Sequence, residues 1–163
     1  MEARNFRNTL GNFATGVTVI TTTRGDELIG MTANAFSSLS VDPPLILVCI
    51  DKKAYSMKAF ENNHPFVVNL LQEKQHDISK IFAKRDIDRF SYASYSISEA
   101  GVPVLDENLA TIECTVHDIL EGGDHYIVTG LVHHVSYNEN TNPLLFFRGK
   151  LGPMPQEDAV KVN

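Results

Sequence analysis

GMTANAFSSLSVDPP, residues 30 to 44, is too polar for a core strand and too small-sided for a helix face. It alternates instead. Period-two geometry puts Thr32 and Asn34 on one side and Ala33 and Ala35 on the other, and Ser38 and Ser40 continue the pattern. Pro43 and Pro44 end it, because each fixes φ and removes a backbone donor. Short hydrogen-bonding side chains separated by alanines make a ribbon suited to a flat polar ligand, which the alanines admit close to the backbone. The same residues also describe a Ser/Thr-rich edge strand with its hydroxyls in water. The ribbon alone does not separate the two readings.

Working outward, the flanks read as sheet. Upstream, VTVITTT (Val17 to Thr23) is β-branched almost throughout. Arg24-Gly25-Asp26 turns the chain, and Leu28 to Asn34 returns, so the pair predicts a hairpin. Phe36 to Val41 follows as a third strand. Downstream, LILVCI (Leu45 to Ile50) is a continuous apolar run and predicts a central strand. Before all of these, Arg4 to Ala14 predicts a helix with Phe6, Leu10, Phe13 and Ala14 on one face and Asn5 as its cap. After Asp51-Lys52-Lys53 come a short helix (Ala54 to Asn62), a strand (Phe66 to Leu71) and a second helix (Gln75 to Phe82) with Ile78, Ile81 and Phe82 inward. Ala83 to Tyr95 is a charged loop of functional length. Leu109 to Leu120 alternates, Glu121-Gly122-Gly123-Asp124 turns, and His125 to Ser136 pairs back. Leu144 to Phe147 is the last expected strand. About seven strands with hairpin-like turns and no β-α-β alternation predict a mainly β fold, an antiparallel barrel with short helices. One domain over residues 1–152 and a loose tail over 153–163 are expected.

Composition narrows the function classes. The chain has 163 residues, enough to bury a core without disulfides or metal. Its formal charge of −6 argues against nucleic acid and against an anionic membrane surface, both of which call for clustered Lys and Arg. No apolar run approaches the roughly 20 residues of a membrane span, and the first ten residues hold no signal core, so a cytoplasmic protein is expected. Cys49 and Cys114 sit in apolar runs without metal spacing and read as free buried thiols.

Nucleotide and hydrolase signatures are missing: there is no GxGxxG, no Walker A and no GxSxG. His133 and His134 are adjacent on a strand and face opposite sides, so they cannot share one ion without distortion, and no metal is expected. Lys52, Lys53 and Ser56 meet the start of a predicted helix, where free N–H groups and a hydroxyl could hold phosphate. Taken alone, they read better as a solvated lysine pair before a capped helix. Lys84 and Arg85, after Phe82-Ala83, could add cations or form a plain charged loop. Gly123-Asp124-His125 places a histidine at a strand mouth, either against a ligand or exposed in a turn.

Taken in order, these pieces resemble one family. GMTANAFSSLSVDPP, the apolar strand into Asp51-Lys52-Lys53, Phe82-Ala83, Gly123-Asp124-His125, and Pro143 to Lys150 (PLLFFRGK) are similar to the short-chain flavin reductases. These are the reductase components of two-component flavin-dependent monooxygenases. FRNTLGNFATGVTVITT resembles their first helix and strand, and the likeness runs from about Phe6 to Lys150. The resemblance implies a split barrel of the FMN-binding type and a homodimer. It implies FMN or FAD, NADH or NADPH as co-substrate, and an oxygenase partner for the reduced flavin. The flavin ring would lie on Thr32, Ala33, Asn34 and Ala35. Its phosphate end would meet Ser38, Ser40, Lys53, Ser56, Phe82, Ala83, Lys84 and Arg85, with the Cys49, Ile50 and Asp51 backbone alongside. His125 would position the nicotinamide. Because the two cofactors carry hydride chemistry, no acid–base dyad is required. A non-catalytic flavin-binding sensor or electron carrier is the alternative on the same barrel. One departure is visible: Leu151 stands where many relatives carry an aromatic residue.

Overall fold

The computed structural model describes residues 1–155. The chain order is α1 (Ala3–Leu10), β1 (Thr15–Gly16), β2 (Thr18–Arg24), β3 (Glu27–Ala33), β4 (Phe36–Ser40), β5 (Leu45–Asp51), β6 (Pro65–Leu70), α2 (His76–Ala83), β7 (Tyr95–Ile97), β8 (Pro103–Leu105), β9 (Ala110–Gly122), β10 (His125–Tyr137), β11 (Leu144–Phe147) and β12 (Lys150–Pro153). Short 3-10 turns occupy Tyr55–Ala59, Glu73–Gln75 and Phe90–Tyr92. No described helix is long and apolar enough to cross a membrane.

Seven strands form the main sheet in the order β3-β2-β6-β9-β10-β5-β4, every pair antiparallel. One core cluster draws on all seven: Met31 and Ala33, Ile20, Phe66 and Val68, Cys114 and Val116, Val128, Ile46 with Val48 and Ile50, and Phe36. A flat sheet could not bring its two edges to one cluster, so the sheet curls around it. The edge strands β3 and β4 are consecutive in the chain, with only Asn34 and Ala35 between them. No ladder joins these edges among the described residues, so the sheet is an open roll rather than a closed barrel.

A second core lies on the outer face. Val17, Val19, Leu71, Phe82, Phe90, Leu105 and Leu144 pack there under α2. Strand β2 serves both cores, because Val19 and Ile20 point to opposite faces. Thr18, Thr21 and Thr22 are therefore buried as well, and their hydroxyls are satisfied: Thr18 donates to Ala33 C=O at 2.7 Å, Thr21 to Pro103 C=O, and Thr22 to Pro65 C=O at 2.8 Å. Gly30 on β3 admits the Phe82 ring, for a Cβ there would stand 2.4 Å from Phe82 Cε1.

Several expectations change. The first helix stops at Leu10 rather than Ala14, starts after Glu2 without a side-chain cap, and buries none of its residues. Asn5 lies inside it. Strand β5 is next to the edge rather than central, and its burial alternates. The helix expected over 54–62 is a five-residue 3-10 turn. Strand β12 follows the strand expected to be last, and it takes in Pro153 of the expected tail. Residues 156–163 of that tail lie outside the described residues. A bulge at Leu39 breaks the alternation of the Ser38–Ser40 stretch. Ser38 pairs with Ile46 and Ser40 with Leu45, adjacent residues on opposite faces, so the two hydroxyls do not share a side.

Candidate functional site

The sheet curls so that three chain segments meet at one end. The first is the link Asn34-Ala35, where the chain leaves β3 and enters β4. Both residues are exposed. Cys49 N–H donates to Ala35 C=O at 2.9 Å, which pins the link against β5. No turn or side-chain hydrogen bond takes up the N–H of Asn34 or Ala35 among the described residues. The Asn34 carboxamide makes one long contact, 3.4 Å to Thr15 Oγ1. The link is therefore a ledge with spare donors.

The second segment is the end of β5. Asp51 Oδ1 accepts the Lys53 N–H at 2.8 Å and turns the chain there. The third is the tip of the β9–β10 hairpin, which closes through Gly123 at φ 73°, a value glycine adopts freely. Register places Ile127 beside Cys49 and His125 beside Asp51. Lys52 staples the tip down. Its N–H donates to Asp124 C=O at 3.0 Å, its ammonium pairs with the Glu121 carboxylate, and it lies 4.9 Å from the centre of the Tyr126 ring. The hydrogen bond it donates to Glu121 raises the Lys52 pKa. His125 Nδ1 lies 2.7 Å from Asp124 Oδ1, and that hydrogen bond, with the charge of the imidazole, holds the Asp124 carboxyl below its usual range.

The ledge thus offers backbone and carboxamide donors, and the tip offers a half-exposed imidazole, with no nucleophile–base pair between them. Such groups are suited to binding and orienting a ligand that carries its own chemistry. Spare N–H groups beside an exposed carboxamide fit the acceptor-rich edge of a flavin.

Similarity to known proteins agrees with this inventory. The flavin reductase like domain model matches residues 10–155. The chain is 42% identical over 151 residues to the reductase subunit HsaB of a flavin-dependent monooxygenase from Mycobacterium tuberculosis, covering 91% of this chain and 81% of that one. The chain belongs to the flavin reductase like family. Its fold superposes on component B of nitrilotriacetate monooxygenase from Mycobacterium thermoresistibile with a TM-score of 0.91 and 42% identity, covering 98% of this chain and 90% of that one. It also superposes on the Streptomyces globisporus NADH:FAD oxidoreductase SgcE6, solved with NAD and FAD fragments, with a TM-score of 0.89 and 33% identity, covering 97% and 95%.

For a flavin reductase like chain, the structure gathers some of the expected residues and separates others. Asn34, Ala35, Cys49, Asp51, Lys53 and His125 converge on one end of the sheet. Ala33 and Ile50 flank it, but their side chains serve the inner core. Thr32 faces α2, and its hydroxyl donates to Ser79 C=O at 2.6 Å, so its proton is committed inside the protein. Ser56 is buried and turns its hydroxyl to Met31 Sδ at 2.8 Å. With a 3-10 turn in place of a helix, the expected phosphate cradle at Lys53 and Ser56 loses both its dipole and its hydroxyl. Phe82 is a core ring, 5.2 Å from Phe90, and offers no side-chain contact to a ligand. Ala83, Lys84 and Arg85 are exposed at the C-terminal end of α2, beyond Phe82 and Gly30. Arg89 donates from Nε to Lys84 C=O at 2.9 Å and closes that loop on itself. Ser38 and Ser40 lie toward the other end of β5: Ser40 pairs with Leu45, six residues before Asp51, or about 20 Å along the strand. They cannot join Lys53 on one phosphate within one chain. Lys52, Glu121, Asp124 and Tyr126 carry roles that sequence reasoning did not assign. Only the Gly-Asp-His spelling hinted at one of them.

Proposed function

We propose that this flavin reductase like protein transfers a hydride from NADH or NADPH to FMN or FAD and passes the reduced flavin to a monooxygenase component. The observation that carries the reading is the donor ledge at Asn34-Ala35 beside the His125 tip, in a chain alike over nearly its whole length to monooxygenase reductase subunits. When bound, flavin and nicotinamide carry the redox chemistry themselves. The protein's part is to bind and orient. Asn34 and the link N–H groups donate to the polar edge of the flavin, where negative charge gathers on reduction, so the same donors favour the reduced form. His125 holds the nicotinamide beside it. Lys53 and the Cys49 to Asp51 backbone border the site.

We further propose a homodimer working in the cytoplasm. Phe6, Leu10 and Phe13 of the first helix and its exit are 47%, 56% and 76% exposed, which leaves an apolar face uncovered in a single chain.

The test is NADH and NADPH oxidation at 340 nm by purified protein with FMN, FAD or no added flavin. Turnover that needs added flavin supports a reductase with diffusible flavin, and turnover without addition supports a bound one. Tight flavin binding without turnover overturns the enzyme in favour of a carrier or sensor.

A further inference from the structure

We propose that Asp124 fixes the tautomer of His125, so that the neutral imidazole presents Nε2 as a hydrogen-bond acceptor and selects a ligand group that donates there, a carboxamide rather than a carboxylate. The inference rests on the proposed function in one respect: the nicotinamide of the donor carries such a carboxamide.

The argument starts from what each atom can do. An ionised carboxylate only accepts, so across the 2.7 Å contact with Asp124 Oδ1 the hydrogen must sit on His125 Nδ1. Asp124 is held ionised, since its pKa is lowered chiefly by this hydrogen bond. A neutral imidazole carries a single hydrogen, so Nε2 is left with its lone pair. Among the described residues, no other side chain hydrogen-bonds the His125 ring.

The neighbouring charges do not compete for that role. Asp51, opposite His125 in the β5–β10 register, accepts the Lys53 N–H. Glu121 is taken by Lys52, whose ammonium also lies against Tyr126. Lys53 lowers the Asp124 pKa in a minor way and so works with the hydrogen bond, not against it. Asp124 is placed before any ligand arrives, because Lys52 N–H holds its carbonyl at 3.0 Å and Gly123 sets the turn. His125 pairs with Asp51 on β5, two residues beyond Cys49, whose N–H holds the Asn34-Ala35 link, so the imidazole and the link donors lie at the same end of the sheet. A carboxamide NH2 satisfies Nε2. A carboxylate in its place sets two acceptors against each other with no hydrogen between them, the costly case of an unmade charged hydrogen bond.

Two measurements at pH 8, above the ordinary imidazole range, test this. The first is the 15N spectrum of the His125 ring, which distinguishes the two tautomers without any turnover. The wild type should show hydrogen on Nδ1. Asp124→Asn, whose amide can donate to Nδ1, should shift hydrogen to Nε2. The second is the ratio of kcat/KM for NADH to that for its nicotinic acid analogue, in which a carboxylate replaces the carboxamide. The wild type should favour NADH by roughly tenfold or more, and Asp124→Asn should shrink that ratio several-fold. Asp124→Glu should recover part of it, which a merely structural turn residue would not do. Hydrogen on Nε2 in the wild type, or an undiminished ratio in Asp124→Asn, overturns the proposal. If the wild type oxidises no NADH with any flavin, the reductase reading fails, and the ring spectrum still decides the tautomer.

Discussion

Asn34 and His125 test the site one side chain at a time. Asn34→Ala removes an exposed carboxamide from the ledge and should weaken flavin binding roughly three- to tenfold, the worth of one hydrogen bond, as read by quenching of flavin fluorescence. Unchanged affinity would remove the ledge from the site. His125→Ala should raise the KM for reduced nicotinamide by several-fold while leaving that for flavin nearly constant, and an equal rise in both would contradict a nicotinamide role. The exposed positions of these two residues were legible because each stands out where it occurs: a carboxamide among alanines, and a histidine straight after a glycine turn. The internal partners of Thr32 and Ser56 were not legible, for the opposite reason. Their hydroxyls are consumed by Ser79 and Met31, partners 47 and 25 residues distant, and no local pattern carries that information. The two thiols, both expected to be buried, separate along similar lines: both are free, but Cys49, on the outward side of β5, is only half-buried. Cys114 is buried in the inner core, and desolvation pushes it from 9.0 to about 12. The unfolded chain releases this proton above about pH 9 while the folded chain keeps it to about 12, so stability present below 9 is lost as pH rises through that window. Between pH 8 and 10.5 the loss should be about 2 kcal/mol in urea titrations, and Cys114→Ala should abolish that slope.

At the scale of elements, strands were easier to read than their places in the sheet. VTVITTT and the Leu109 to Leu120 alternation announce strands, because β-branching and period two are local properties. Through its continuous apolarity, LILVCI points to a central strand. It lies one strand from the edge, and its outward residues are half-buried by neighbours that the sequence does not order. Strand β12, KLGP, was missed because it carries almost no alternation and owes its pairing to β11. Asn69 in FVVNLL shows how a polar residue in an apolar strand can be the join between elements. Fully buried, it donates to Val19 C=O at 2.9 Å and to Thr21 Oγ1 at 3.0 Å, and accepts from Leu105 N–H and Asn108 Nδ2, each at 2.9 Å. It ties β2, β6 and β8 to the loop before β9. Asn69→Ala should cost about 2–4 kcal/mol in urea unfolding, since it strands a buried N–H along with the lost contacts. A cost below 1 kcal/mol would mean that the join is dispensable.

Across the whole molecule, Phe6 and Leu10 of α1 and Phe13 just after it form an apolar group that a single folded chain leaves exposed to water. Leu10→Glu together with Phe13→Glu should move the protein to the monomer in sedimentation velocity, and a persistent dimer would place the interface elsewhere. The mainly β, antiparallel character was legible, while the open seam between β3 and β4 was not, because closure depends on how far seven strands curl. The sheet order also has a consequence for synthesis. Strand β5 pairs on one side with β4, its neighbour in sequence, but on the other with β10, where Leu45 meets Leu131. On the ribosome, the free edge of β5 must wait for some 80 further residues, about 4–16 s at ordinary elongation rates. A growing chain with an unpaired apolar edge is open to association with its neighbours, so the nascent protein, more than the finished one, sets how well this fold is produced in a crowded cell.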